Sequence, residues 1–290
     1  WKALGANYPL VSFQTCPFSC KAPHPGTVYL KRRKQAWLAC SEGHVSRHSH
    51  DLLARFFPNL VPGHRLTVSL GNVGAVFHPA AYLLNLEAIE TARRQGRPFS
   101  FYLEGIARNP QVAAVVEEID QVRLHVARAL GRPVFGLHDE PREDEWQAIM
   151  QRVQELEDRP MTDRRQHRQW RAALLQPIND AVVSGQHWLA YTYGVTRIPG
   201  ESLSSAIGRT HVFCKDSFPQ DRYADEDVTT GLVPLEALAQ RLGIPCEAVS
   251  RVIDVYTRWK GVPARDLGRN LRDFDLADLL GENRCLALAS

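Results

Sequence analysis

Hydrophobic and polar positions follow two different periods along this chain of 290 residues. Up to about residue 70 the apolar residues come in short β-rich runs: PLVSF (9–13), TVYL (27–30), AWLAC (36–40) and LTVSL (66–70), set off by Pro, Gly and Ser. Between the last two, HDLLARFFPNL (50–60) carries apolar residues at helical spacing. Strand, strand, helix, strand is the order of part of an α/β sheet, and it predicts a mostly parallel sheet with one open face or edge.

Beyond Asn72 the period is helical. Over 110–130, Val112, Val115, Val116, Ile119, Val122, Val126 and Leu130 form one apolar face. Asn109 can cap that helix, Pro110 suits its first position and Gly131 ends it. A second helix is expected over about 143–157, with Trp146, Ile149, Met150, Val153 and Leu156 on one side, and an Arg- and Gln-rich one over 163–175. Two more close the chain, 234–242 before Gly243 and 245–260 between Pro245 and Gly261. The fold class read from this is α/β followed by all-α, with a small α/β part over 1–70 and a larger helical domain over 71–290.

Composition narrows the function classes. A chain of this length buries roughly three-quarters of its unfolded surface and needs no disulfide or metal to hold it. The net charge of +3 makes no case for nucleic acid, and KRRK (31–34) reads as a solvated strand end. No apolar run approaches the ~20 residues of a membrane helix. The six cysteines form no C-x-x-C pair and read as reduced thiols of a cytoplasmic protein. The chain opens on Trp1, and its methionines are Met150 and Met161, so it reads as a piece of a longer protein or a processed product.

Three stretches carry candidate chemistry. In GNVGAVFHPAAYLLN (71–85), His78 stands either as a half-buried packing residue or as an acid/base group at the mouth of a helix, since a following proline biases its backbone away from helix. The GNVG turn lacks the third glycine of a dinucleotide fingerprint. In RYADEDV (222–228), Arg222 and Asp227 are either solvated charges or a carboxylate clamp and an imidazole partner. Five residues along a helix turn by about 140°, so both reach one site from an irregular segment. In QTCPFSC (14–20), Thr15 can donate to a ligand at a strand end and Cys20 can line its pocket; a metal held by Cys16, Cys20 and His44, His48 or His50 fits no zinc spacing.

Taken in order, FQTCPFSCKAPHPGTVYL, KRRKQAWLAC, ARFFPNL, SLGNVGAVFHPAAYLLNLEAIE and FSFYLEGIARNPQVAAVVEEIDQVRLHVARALG resemble the octopine/nopaline dehydrogenase family. YGVTRIPGESLSSAI, RYADEDVTTGLVPLEALAQRLGIP and GRNLRDFDL resemble its C-terminal segment. The resemblance covers about 9–135 and 190–280. It implies an NAD- or NADP-dependent enzyme that joins an amino acid to a 2-oxo acid and reduces the imine to an opine. It implies the end of a Rossmann-type nucleotide-binding domain over 1–70, packed on a helical substrate domain over 71–290 of 6-phosphogluconate-dehydrogenase-like type.

By the same resemblance His78 is the acid/base residue, Asp227 its partner and Arg222 a substrate-carboxylate contact. Thr15 falls where the family contacts substrate or nicotinamide, and Asn72, which opens the N-x-x-x-x-x-H-P motif, and the pocket-lining candidate Cys20 are expected as further substrate contacts. The implied partners are the two substrates, with a homodimer open and neither nucleic acid nor membrane.

Three departures stand beside this. No G-x-G-x-x-G occurs, so this chain alone is expected to bind NAD(H) weakly or not at all; Thr229 replaces a proline; and 136–190 has no counterpart. Two rival readings follow: a non-catalytic helical binding or oligomerisation module, and a related two-domain dehydrogenase of another 2-oxo acid.

Overall fold

The computed structural model describes residues 10–13, 18–32, 37–42, 55–56, 60–62, 65–132, 134, 136–137, 200–210 and 219–275. The expected helices at 143–157 and 163–175 lie outside the described residues.

The first part is a small β assembly. Strands β1 (Leu10–Phe13), β4 (Trp37–Glu42) and β5 (Leu60–Pro62) form one sheet in the order β1-β4-β5. β2 (Phe18–His24) and β3 (Thr27–Arg32) form a separate hairpin, turned through Gly26 at φ +80. β4 runs parallel to β5, pairing Leu38 with Val61, but antiparallel to β1, pairing Ser12 with Cys40. Two of the three described pairings are therefore antiparallel, which corrects the expectation of a mostly parallel sheet. A hairpin needs only a short turn, whereas each parallel pairing needs a long crossover.

LTVSL also departs from expectation. It is helix α1 (Arg65–Leu70), not a strand. Its Val and Thr favour strand locally, but α1 packs on both β4 and β1 and on the long helix of the second part, and that burial decides. Its last carbonyl, Leu70 O, accepts from Arg123 Nη1 at 2.7 Å, a cation placed where a helix C-terminus favours one.

The helical part is organised around α2 (Gly74–Leu83), followed by α3 (Leu86–Arg94), α4 (Pro110–Ala129) and α5 (Leu203–Gly208). α6 (Arg222–Asp227), a π turn (Val228–Leu232) and α7 (Val233–Arg241) then run on as one rod, before α8 (Glu247–Lys260) and α9 (Ala264–Leu267). In α2, Val76, Phe77, Pro79, Ala80, Ala81, Tyr82 and Leu83 are all buried, so it is a core helix, apolar nearly all round. α4, α6 and α8 pack against it. The positions of α2 that escape full burial are Gly74, Ala75 and His78.

α4 forms as its pattern predicts. Asn109 accepts from Val112 N at 3.4 Å, Pro110 opens the helix, and the seven apolar positions named above are buried. Gly131 follows at φ +66, a left-handed conformation that glycine adopts without steric cost. Between the apolar rows lies a buried ion pair: Arg123 donates through Nη2 to Asp120 Oδ1 at 2.6 Å, with the two side chains 3% and 0% exposed. Asp120 also accepts from Leu137 N at 2.6 Å, so the pair ties α1, α4 and residue 137 together.

A second polar knot joins the last helices. Arg265 grips Glu236 two-pronged, Nε to Oε2 at 2.6 Å and Nη2 to Oε1 at 2.7 Å, and reaches Asp254 at 2.6 Å.

Candidate active site

His78 lies within α2, and so does Pro79, which corrects the expectation that the dipeptide marks a helix entry. Proline removes one ladder bond, here the one Ala75 O would accept, and the surrounding burial of α2 offsets that loss. The ring nevertheless faces outward, one turn below Tyr82.

Its Nδ1 lies 2.7 Å from Asp227 Oδ2, with side-chain exposures of 25% and 20%. A carboxylate at that distance takes the Nδ1–H tautomer and leaves Nε2 as the acceptor that can exchange a proton with a substrate. Around the ring stand Tyr223, with centroids 5.0 Å apart, Phe101 at 5.6 Å in an edge arrangement, and Tyr102, whose hydroxyl is 3.5 Å from Nε2.

Asp227 reaches this position from the last residue of α6, so RYADED is helical and not irregular, a second correction. The π turn begins immediately afterwards. Pro234 has no N–H to give Thr230 O, and the Thr229 and Thr230 hydroxyls occupy the Asp225 and Glu226 carbonyls at 2.6 and 2.7 Å. Each of these competes with the ordinary ladder and favours the wider turn. Gly231 is required where that turn meets α2: a Cβ there would stand 2.3 Å from Ala75 Cβ.

The other end of α6 is fastened to the same helix. Asp221 Oδ1 accepts from Tyr82 Oη at 2.5 Å and from Arg93 Nη2 at 2.7 Å, and Arg93 also donates to Pro219 O at 2.8 Å. α6 is thus pinned to α2 twice, Asp227 to His78 and Asp221 to Tyr82. Partial burial pushes the Asp221 carboxyl up, but the bonds from Tyr82 and Arg93 and the charges of Arg93 and Lys260 outweigh it and hold it below its ordinary value. Burial, then the bond to Asp221, raises the Tyr82 hydroxyl far above its ordinary range. Tyr256, partly buried and donating to Asp225 at 2.9 Å, is pushed up to about 12. Both tyrosines are therefore fixed donors at neutral pH.

Arg222 is exposed at the start of α6, its guanidinium 5.5 Å from the Tyr223 ring centroid. Tyr223 in turn packs on His78, so the cation stands one ring away from the imidazole. Asn72 caps the turn before α2, accepting from Gly74 N at 3.0 Å, and lines a cavity of about 170 Å³ together with Ala75, Arg123, Asp227, Thr230 and Pro234. Asp227 thus both bonds His78 and lines this cavity. Cys20 sits on β2 in register with Leu30, and Thr15 lies outside the described residues.

Sequence reasoning missed Tyr102, Tyr223 and the Tyr82–Arg93–Asp221 strut. Tyr223 lies inside the very segment that carries Arg222 and Asp227. The strut joins three separate segments and leaves no local signal.

No helix among the described residues is long and apolar enough to cross a membrane. Compared with known proteins, residues 62–259 match the family model described as NAD/NADP octopine/nopaline dehydrogenase, alpha-helical domain. The chain is similar to an opine dehydrogenase of Arthrobacter sp. (strain 1C), 26% identical over 267 residues, covering 90% of this chain and 58% of that protein. The chain thus spans little more than half the length of that curated relative.

Among solved structures, apo yersinopine dehydrogenase is similar with a TM-score of 0.51 and 16% identity, covering 97% of this chain and 62% of that one. Octopine dehydrogenase in complex with NADH and agmatine gives a TM-score of 0.49 and 17% identity, over 94% of this chain and 65% of that one. The yersinopine dehydrogenase comparison supports the fold, a small β part packed on a larger helical domain. With its family model matched over 62–259, the chain belongs to the NAD/NADP octopine/nopaline dehydrogenase family.

Proposed function

We propose that the full-length protein is an NAD(P)H-dependent opine dehydrogenase, which condenses an amino acid with a 2-oxo acid and reduces the product to a secondary-amine dicarboxylate. In this reading residues 1–70 end a nucleotide-binding domain and 71–290 form the substrate domain. The observation that carries it is the His78–Asp227 pair at 2.7 Å, held on separate helices, with the ring partly exposed and Nε2 towards the Tyr102 hydroxyl.

The chain contains no G-x-G-x-x-G, and no described strand leads through such a turn into a helix N-terminus. The residues of this chain therefore do not form a cradle for the phosphates of the nucleotide. What these residues do is move protons and hold charge. Neutral His78 exchanges a proton at Nε2 with the substrate nitrogen or oxygen, an effect worth ~10²–10⁴ in rate. Asp227 holds the tautomer and stabilises the imidazolium formed in passing. Arg222 supplies a cation for a substrate carboxylate.

The test is a panel of amino acid and 2-oxo acid pairs given to the full-length protein with NADH or NADPH, following nucleotide oxidation and the mass of the product. His78→Ala should lower turnover by ~10²-fold or more. Arg222→Ala should act mainly through KM, as a lost substrate contact does. Absence of nucleotide oxidation with every pair would refute the reading.

A further inference from the structure

Asp227 occupies one nitrogen of the His78 ring, so any proton transfer falls to the other. On that other side stands Tyr102, its hydroxyl 3.5 Å from Nε2. The separation is longer than a good O–H···N bond. A ligand atom about 2.8 Å from each closes a triangle on that base, so the two groups flank one point in space.

Tyr102 is firmly held there. Phe77 and Phe101 meet its ring edge-on, with centroids 5.8 and 5.3 Å away. The residue opens a second π turn (Leu103–Ala107), the kind of irregularity that recurs at functional sites. That turn is pinned from several sides. Asn85 Nδ2 donates to Gly105 O at 3.0 Å, and Glu104 accepts from Ser100 N at 2.5 Å and from Arg97 at 2.9 Å. A Cβ on Gly105 would come to 3.4 Å from Ala81 O, so the turn lies close against α2. Both groups facing the His78 ring nitrogens, Asp227 and Tyr102, thus stand immediately before a π turn.

We propose that Tyr102 is a second catalytic residue, which together with His78 holds the keto oxygen of the 2-oxo acid; this rests on the opine-forming reading above. An atom at the shared point can accept from the Tyr102 hydroxyl and, once Nε2 has taken a proton from the amine, receive that proton from it; a keto oxygen on its way to becoming water does both. In that step the neutral amine nitrogen forms the new bond to carbon and the carbon–oxygen bond breaks. The nitrogen gives up two protons and the oxygen leaves with two. His78 relays them and ends as it began, while Tyr102 donates a hydrogen bond and keeps its own proton.

Tyr102→Phe in the full-length enzyme removes one oxygen and keeps the ring contacts. Expected is a fall in kcat of ~10²- to 10³-fold, the scale of one lost donor to a developing charge, with the KM for the oxo acid changed by less than about threefold and unfolding unaltered. An active wild type with a variant within twofold of its kcat overturns this proposal and leaves the opine-forming reading standing. A wild type inactive with every pair overturns both. Should the phenylalanine variant fail to fold, fluorotyrosines at position 102, nearly unchanged in shape and altered in hydroxyl acidity, read the same role. A kcat unmoved across that series would overturn it too.

Discussion

Replacing Gly231 with alanine tests the contact that brings the two halves of the site together. The added Cβ would stand 2.3 Å from Ala75 Cβ. Carbon atoms in ordinary contact are about 3.5–4.0 Å apart, so α2 and the π turn must part by more than about 1 Å. Ala75 Cβ is fixed to a helical backbone and cannot swing away. Overpacking of this kind costs about 1–3 kcal/mol, and the better helix propensity of alanine returns at most about 1 kcal/mol.

The displacement falls where chemistry is sensitive to it. Gly231 lies four residues after Asp227, and Ala75 three before His78. A shift of that size stretches the 2.7 Å pair beyond hydrogen-bond reach, and misplacement by about 1 Å can cost ~10²-fold in rate. Ala75→Gly in the same chain is the remedy, because the nearest remaining atom is then Ala75 Cα at 3.7 Å, an ordinary contact. Urea unfolding and kcat of the full-length protein should show Gly231→Ala impaired in both, with the double variant close to wild type. A single variant with wild-type midpoint and turnover, or a double variant no better than the single, would refute the reasoning.

Three further outcomes are expected. Asp227→Asn should lower kcat by ~10²-fold or more in the full-length protein with little change in the urea midpoint, because the wrong tautomer is then held at His78; unchanged turnover counts against the pair. Arg265→Ala leaves the buried Glu236 carboxylate with Ser250 as its remaining described partner, and should cost about 3 kcal/mol in chemical unfolding, which Glu236→Gln in the same chain should partly restore; a cost below about 1 kcal/mol would show the knot to be dispensable. Asp221 is held below its ordinary value of 3.8, so the unfolded chain binds its proton first and the stability it contributes is lost as pH falls below that value; Asp221→Asn should flatten the acid limb of unfolding midpoint against pH, and an unchanged limb would contradict this.

The parts legible in the sequence are those set by period and local chemistry. α4 was readable from cap, first proline, apolar face and closing glycine because all four act within one helix. The His78–Asp227 pairing was readable by resemblance, since 149 positions separate the residues and no local rule links them. LTVSL misled because a short, mostly apolar run with Thr67 and Val68 at its centre suits either state until its neighbours are known. His-Pro misled because the local bias against helix is small beside the burial of a central helix. The two π turns were invisible: each depends on carbonyls taken by side chains or on a close approach that exists only after folding. Tyr102 stayed hidden with them, since its value comes from facing the second nitrogen of a ring 24 positions earlier.

The rod from Arg222 to Arg241 has a consequence for how chains of this kind are lined up. Each residue of an α-helix advances the side chain by about 100°, and the π turn holds one more residue than an α turn would. Deleting a single residue from Val228–Leu232 lets the rod close as unbroken α-helix with Asp227 still on the His78 side, whereas closing it as α-helix with every residue kept swings Asp227 by roughly 100° relative to Val233, off the His78 ring. An ungapped alignment against a chain with plain α-helix at this point would match the buried face of α7 and assign the carboxylate to the wrong column. At this rod the pairing is written in a residue count, so comparison between such chains has to be anchored on the face of each helix and not on the running number.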